Sequence, residues 1–305
     1  MSSSNLASSQ YVGRFAPSPS GPLHFGSLVS ALGSYLQAKK SNGKWLLRIE
    51  DIDPPREVPG AADNILRCLA AHHLFWDQDV VYQSQRSELY IEKLDWLSQH
   101  GYTYLCACTR NQLANLSTSQ LCQCPEKKLF AQDCAVRFKY LSPVQKMEDQ
   151  LLGRVNFDLT DLPAQFALKR KDGLFAYQLA VVVDDISQGI TEIARGADLL
   201  PATAFQLALY AAFNSSAPKF IHFPVVVSEP GQKLSKQNHA PGLDNSRATE
   251  NLIGALIFLG LPVPKQLVKE SCENILHWAI NHWDINKLVA TTERIDNRIG
   301  LVDSI

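Results

Sequence analysis

Apolar and polar positions alternate along the chain in a way that divides it into short strands and amphipathic helices, taken in turn. Residues 11–15 (YVGRF) have strand length and stop at Ala16-Pro17-Ser18-Pro19-Ser20-Gly21-Pro22. Proline fixes φ and keeps the residue before it out of helix, so this run predicts a shaped loop. Residues 26–39 carry Leu28, Leu32, Tyr35 and Leu36 at helical spacing, with Ser27 near the start. Residues 44–50 (KWLLRIE) form a mostly apolar run of strand length. Strand, loop, helix and strand in this order predict the opening of a parallel, nucleotide-binding α/β sheet.

The alternation continues with helical periodicity over 61–73 and 86–100 and shorter segments around 80–83 and 102–106. Periodicity is poor from 109 to 172, which predicts an insertion in the sheet domain. A regular pattern returns at 177–185, a strand-like 190–195, a helical 198–213 and an apolar, strand-like 220–228. Residues 248–259, 265–280 and 284–289 predict a helical C-terminal module.

Composition narrows the class. The 305 residues include 46% hydrophobic and 19% charged positions, as in a folded globular protein. No stretch approaches the roughly 18 uninterrupted apolar residues of a membrane span. MSSSNLASSQ has neither a basic start nor an apolar stretch, so a flexible Ser-rich lead, not a secretory signal, is expected over 1–10. The net charge of −1 argues against gripping nucleic acid by bulk charge, although 110–175 is +3 and the rest −4.

Seven cysteines are present, and four of them follow C-x-C-x13-C-x-C at Cys106, Cys108, Cys122 and Cys124. An odd total without a signal segment points away from disulfides and toward a reducing, cytoplasmic setting. Four thiolates can close a tetrahedral zinc site of structural type; the bland alternative is four incidental cysteines around a loop.

Two segments suggest phosphate handling. PSPSGPLHFGS (17–27) brings His24 and Gly26 to a helix start, where free N–H groups and the helix dipole receive phosphate. His24 can donate to a phosphate oxygen; the segment also reads as a proline-rich turn with a buried histidine. KLSKQ (233–237) places Lys233 and Lys236 in a polar loop after the last strand, either to close over a triphosphate or as an exposed basic turn. One such loop after the first strand and another after the last meet at the carboxyl edge of the sheet, where open α/β sheets bind ligands.

FAPSPSGPLHFGS and KLSKQ resemble the HIGH-type and KMSKS-type signatures of the class I aminoacyl-tRNA synthetases. RFAPSPSG, RIEDIDPPR, YLCACTR, FAYQLAVVVDD and ITEIARGADLL, in that order from Tyr11 to Pro241, are similar to the glutamyl branch. Ser27 stands where the second HIGH histidine would be, and Leu234 and Gln237 replace the Met and last Ser of KMSKS. The resemblance implies a Rossmann-type catalytic domain in two halves, 11–105 and 173–240. A zinc-containing insertion at 106–172 and a small helical module at 241–305 complete it, without an anticodon-binding domain. It also implies that His24, Gly26, Ser27 and Lys236 bind ATP with Mg²⁺, and that His24, Lys233 and Lys236 act in catalysis.

The same resemblance assigns Arg14, Ala16, Ser18, Glu50, Tyr177 and Arg195 to L-glutamate. The chemistry agrees: Glu50 can pair with the ammonium, and Arg195 can offer a bidentate fork to the side-chain carboxylate that glutamine's amide could not use equally. Similar synthetases often carry C-x-C, then a tyrosine four residues before a last cysteine. Gln120 takes that tyrosine's place here, so Cys122 joins Cys106, Cys108 and Cys124 as expected ligands, with Cys134 in reserve.

Only 68 residues follow Gln237, too few for the helical domains with which bacterial glutamyl-tRNA synthetases read the anticodon. The short form resembles a paralogous branch that activates glutamate as glutamyl-adenylate and passes it to the queuosine base in the anticodon of tRNA(Asp), leaving the tRNA 3′ end uncharged. The alternatives are a short synthetase charging a 3′ end and a non-catalytic tRNA-binding paralogue. No membrane and no DNA partner is expected.

Overall fold

The computed structural model describes residues 10–116, 122–139, 144–158, 165–229, 232–233 (backbone only) and 241–295. The expected flexible lead, save residue 10, and Lys236 of the second phosphate loop lie outside the described residues.

The first half follows the sequence pattern. β1 (Val12–Phe15) leads through the proline loop to α1 (Phe25–Lys40), then β2 (Lys44–Ile49), α2 (Ala61–Ala71), β3 (Val81–Tyr82), α3 (Ser87–Gln99) and β4 (Thr103–Cys106). The poorly periodic segment holds α4 (Arg110–Ala114), β5 (Ala135–Lys139), β6 (Lys146–Asp149), β7 (Gly153–Asn156) and β8 (Gln165–Lys169). Next come α5 (Tyr177–Ser187), β9 (Glu192–Gly196), α6 (Leu200–Ala212), β10 (Lys219–Phe223), β11 (Val225–Glu229) and β12 (Gln232–Lys233). The chain closes with α7 (Ala248–Leu259), α8 (Cys272–His282) and β13 (Glu293–Ile295). No helix among the described residues is long and apolar enough to cross a membrane.

β1 pairs in parallel with β2, and β2 with β3. β10 pairs in parallel with β9 on one side and β6 on the other. The two sheets meet where the Thr191 N–H donates to the Val12 carbonyl at 2.9 Å and the Val12 N–H donates to Thr191 Oγ1 at 2.9 Å. Strand order therefore turns at β1, with β2 to one side and β9 to the other, and a crevice opens at that point.

α1 fills the centre. Leu28, Val29, Leu32 and Leu36 are buried, and a Cβ on Gly33 would stand 2.5 Å from the Phe223 ring. Only glycine lets the helix settle this close on β10. Trp45 of β2, fully buried, donates its indole N–H to Ser34 Oγ at 2.9 Å and so locks sheet to helix.

Four segments depart from the sequence reading. β6 is woven into the main sheet beside β10, so the insertion does not merely flank it. The apolar run 220–228 is two strands, because Pro224 lacks an N–H and its fixed φ redirects the chain from β10 into a separate sheet with β11. The expected helix over 265–280 breaks into a 3-10 turn (Lys265–Lys269) and α8, which restarts where Ser271 Oγ accepts from the Asn274 N–H at 3.3 Å. The last expected helix is only the 3-10 turn Ile285–Lys287, followed by β13 pairing with β11. Leu252, Leu256, Ile275 and Ala279 of α7 and α8 belong to the same apolar core as α1.

Candidate active site

A cavity of about 710 Å³ opens at the turn in strand order. Arg14 reaches it from β1, Glu50 from just beyond β2, Arg195 from β9, Tyr177 from the start of α5, and His24, Gly26 and Ser27 from the start of α1. With Ala16 and Ser18 of the proline loop, every candidate residue whose side chain is described lines this one space, apart from the cysteines. Lys233 is described only as backbone, paired with Val227.

His24 is the N-cap of α1, and its Nδ1 accepts from the Ser27 N–H at 3.3 Å. That bond makes Nδ1 the acceptor, so in the neutral ring the proton sits on Nε2 as a donor. A Cβ on Gly26 would press on the His24 ring at 3.2 Å. The glycine therefore seats the histidine, a role nearer to hand than the approach of a nucleotide.

Beneath the cavity floor lies a buried ion network whose main members the sequence reading passed over. Asp185 accepts from Arg14 Nε at 3.1 Å and Nη2 at 3.3 Å, and from Arg48 Nη2 at 2.8 Å. Its neighbour Asp184 accepts from Gln83 at 2.7 Å, Arg86 at 2.7 Å and Tyr90 at 2.8 Å. Burial works against ionised Asp185, but Arg14 and Arg48 outweigh it and hold the carboxyl below its ordinary range. The signal was present in the sequence: two consecutive aspartates closing the apolar run VVVDD, which a buried helix tolerates only when both are paired.

Glu50 stands at the edge of this network without full compensation. It is 8% exposed, and its Oε1 has no hydrogen-bond partner among the described residues. Burial pushes its pKa up to about 7, against the pull of Arg48 and Arg14 and with a further push from Asp185 and Asp184.

Arg195, 4% exposed, is held on three sides. Its Nε donates to His222 Nε2 at 3.2 Å, and its Nη2 donates to Thr203 Oγ1 and Gln206 Oε1, both at 2.8 Å. Nη1 is buried with no partner among the described residues. The bidentate fork expected from sequence is thus largely engaged within the protein, with only the two hydrogens of Nη1 left without a partner among the described residues. Arg14 is likewise committed, its fork clasping Asp185.

A second cavity of about 600 Å³ shares Ser18, Ser20, Glu50, Arg56 and Tyr177 with the first. Its remaining wall includes Asp53, which accepts from Arg170 Nη1 at 3.0 Å, with Glu57 and Phe175.

The four cysteines converge away from the cavities. All Sγ atoms lie within 4.8 Å of one another, with Cys106 and Cys122 at 3.8 Å and Cys108 and Cys124 at 3.5 Å. Zinc–sulfur bonds of 2.3 Å at tetrahedral angles require S···S edges of about 3.8 Å, so the residues present fit the ion. Burial opposes a thiolate at Cys124, yet a backbone hydrogen bond from Ala107 and the neighbouring thiols outweigh it and bring the pKa down to about 7. Cys134 is not part of the group.

Residues 10–251 match the family model for the catalytic domain of class I tRNA synthetases (E and Q). A glutamyl-Q tRNA(Asp) synthetase of Vibrio vulnificus strain CMCP6 is 47% identical over 288 residues, 94% of each chain. The chain belongs to the class I tRNA synthetases (E and Q), in their glutamyl-Q tRNA(Asp) synthetase branch. Another relative in this branch, from Yersinia pseudotuberculosis serotype I, is 50% identical over 276 residues, 90% of this chain and 83% of its own. Among solved structures, a glutamate tRNA ligase from Elizabethkingia meningosepticum in complex with its amino acid superposes with a TM-score of 0.77. It is 25% identical and is matched over 94% of this chain and 67% of its own. A class I catalytic domain thus accounts for the turn in strand order, the proline loop and α1 together.

Proposed function

We propose that this protein activates L-glutamate with ATP and transfers it to the queuosine base in the anticodon of tRNA(Asp), without charging the tRNA 3′ end. One observation carries the reading: Glu50 and Arg195 line a single cavity, and each has a buried polar atom, Glu50 Oε1 and Arg195 Nη1, without a hydrogen-bond partner among the described residues. Two unsatisfied buried groups of opposite sign suit a ligand that brings an ammonium and a carboxylate of its own. Glutamate does, and its α-carboxylate remains for chemistry.

In this reading Glu50 takes the ammonium, Arg195 Nη1 the side-chain carboxylate, and Arg14, Ala16, Ser18 and Tyr177 the remaining wall. ATP, with Mg²⁺ as its counter-ion, lies over the start of α1, where His24 Nε2–H donates to a phosphate oxygen beside Gly26 and Ser27. The glutamate α-carboxylate attacks the α-phosphorus, the bond to the β-phosphate breaks, and Lys233 and Lys236 take up charge on the departing pyrophosphate. A hydroxyl of the queuosine cyclopentene ring, approaching through the second cavity across Glu50 and Tyr177, then attacks the activated carbonyl. It loses its proton as AMP departs, and an ester is left on the base. Zinc, held by Cys106, Cys108, Cys122 and Cys124, would staple the β4–β5 turn as a structural ion.

The test offers labelled glutamate and ATP to tRNA from queuosine-containing and queuosine-deficient cells, each with and without its terminal adenosine. Label confined to queuosine-containing tRNA and indifferent to the terminal adenosine is expected. Equal labelling of the two pools would overturn the reading.

A further inference from the structure

Three adjacent strands carry a buried chain of side chains that ends on Arg195. β9 and β10 place Arg195 directly beside His222 in register, and β6 lies on the far side of β10 with Asp149 at its end. His222 Nδ1 is 2.7 Å from Asp149 Oδ2, and His222 Nε2 is 3.2 Å from Arg195 Nε. His222 is fully buried, Asp149 and Arg195 nearly so.

The hydrogen bonds fix which nitrogen carries the proton. Asp149 Oδ1 accepts from the backbone N–H groups of Leu151 and Leu152, both at 2.9 Å, and of His222 at 3.4 Å. A carboxylate with so many donors stays ionised, so Oδ2 takes the proton side of the ring. His222 must then be protonated on Nδ1 and present a lone pair at Nε2. Arg195 Nε can only donate, and it needs this lone pair. The other tautomer would set the Nε2–H against the Arg195 Nε–H and turn the ring proton on Thr203 Oγ1, 3.2 Å away, which already accepts from Arg195 Nη2.

The remaining contacts complete the clamp. Thr203 and Gln206 occupy Nη2, Phe220 lies under the guanidinium with 5.3 Å to the ring centroid, and Gln178 holds Gln206 at 3.0 Å. Nη1 alone of the Arg195 nitrogens has no hydrogen-bond partner among the described residues, and Arg195 lines the cavity.

We propose that His222, with its tautomer set by Asp149, is a positioning residue that orients Arg195 toward the side-chain carboxylate of the amino-acid substrate. The proposal rests on the glutamate reading above. It makes discrimination between a carboxylate and an amide depend on residues that touch neither. A planar guanidinium clamped on three edges cannot swing to accommodate a neutral amide, whereas a loosened one can.

The test measures glutamate-dependent ATP–pyrophosphate exchange, with and without queuosine-containing tRNA, for His222→Leu, His222→Gln and Asp149→Asn. Leucine fills the space without an acceptor, and glutamine restores an acceptor near the Nε2 position. The Leu variant should raise KM for glutamate by roughly tenfold or more, the worth of a hydrogen bond to a charged group. Its KM for ATP should not change, and its preference for glutamate over glutamine should fall. His222→Gln should recover most of that preference, and Asp149→Asn should lie between. Thermal unfolding of each variant tracks folding separately, and the glutamate-to-glutamine ratio, a property of folded molecules only, remains readable in a weakened variant. Unchanged discrimination in His222→Leu, or equal defects in the Leu and Gln variants, would overturn the relay while leaving the glutamate reading intact. Wild-type protein with no glutamate-dependent exchange under either condition would overturn the underlying reading and the relay with it.

Discussion

Glu50 Oε1 and Arg48 Nη2 lie 3.7 Å apart, both side chains buried, close enough to attract and too far to hydrogen bond. Arg48 is turned instead toward Asp185 and Gln188, at 2.8 and 2.6 Å. Burial raises the Glu50 pKa to about 7 against the pull of Arg48 and Arg14, so this carboxyl gains most from ionising when a cation arrives. Below about pH 7 the carboxyl is protonated, and in the proposed binding mode the substrate ammonium, charged throughout this range, then meets a neutral partner. The affinity for glutamate should fall by about tenfold for each pH unit below the break. Plots of log KM against pH in pyrophosphate exchange should show that break in the wild type. Glu50→Gln should weaken glutamate by roughly 10- to 100-fold and flatten the profile.

Arg14 and Arg48 both depend on Asp185, which keeps two buried guanidinium groups from repelling each other. Asp185→Asn should destabilise the fold by about 3–5 kcal/mol, the range for breaking a buried ion pair from one side. Urea unfolding should show a lower midpoint with an unchanged slope. The pH dependence has a definite sign. Because the folded-state pKa of Asp185 is lowered, its stabilisation is fully present above the unfolded carboxyl range and is lost as pH falls through the folded value. The variant's stability should therefore vary less with pH on the acid side than that of the wild type.

Sequence pattern and motif carried most of the cavity because its residues sit at element ends, where prolines, glycines and polar breaks punctuate the chain. Arg14 and Arg195 each lie one residue from the end of a strand, Glu50 directly follows one, and His24 caps the start of a helix. What stayed hidden lay behind them. Asp149 falls in a segment without clear periodicity, since β6 is only four residues long and leaves too little pattern to read. His222 sits inside an apolar strand, where a lone histidine gives no sign of its partners on the neighbouring strands. The two-strand outcome for 220–228 turned on Pro224, a residue whose effect is stereochemical and not visible in hydrophobicity. The C-terminal helices were legible as helices but not as part of the α1 core, because amphipathic pattern marks a buried face without naming what buries it.

His24 carries two roles that substitution can separate. As N-cap it satisfies the Ser27 N–H, and in the proposed function its Nε2–H donates to phosphate. His24→Ala loses both functions, whereas asparagine caps helices well but does not reach as far. The Ala variant should unfold about 1 kcal/mol more easily than wild type, and His24→Asn should lie within a few tenths of it. Both should lower the exchange rate by about a hundredfold, the scale of losing one donor to developing phosphate charge. Full turnover in the Asn variant would reduce His24 to a structural cap.

Four cysteine sulfurs brought within 4.8 Å of one another, two of them at 3.8 Å, already have nearly the spacing that tetrahedral zinc imposes. Protein purified without chelator should hold one zinc per chain by elemental analysis. Cys122→Ser should lose most of it, because the hydroxyl is a poor ligand and the site has no spare donor among the described residues. Cys134→Ser should keep it. The consequence should be local: Cys106 ends β4, which pairs with β5, while the first cavity is lined from β1, the residue after β2, β9 and the start of α1. Hydrogen exchange should thus quicken over β4 and β5 in the Cys122 variant, with glutamate activation less affected than transfer to tRNA. Metal content equal to wild type in Cys122→Ser, paired with loss in Cys134→Ser, would reassign the ligand set.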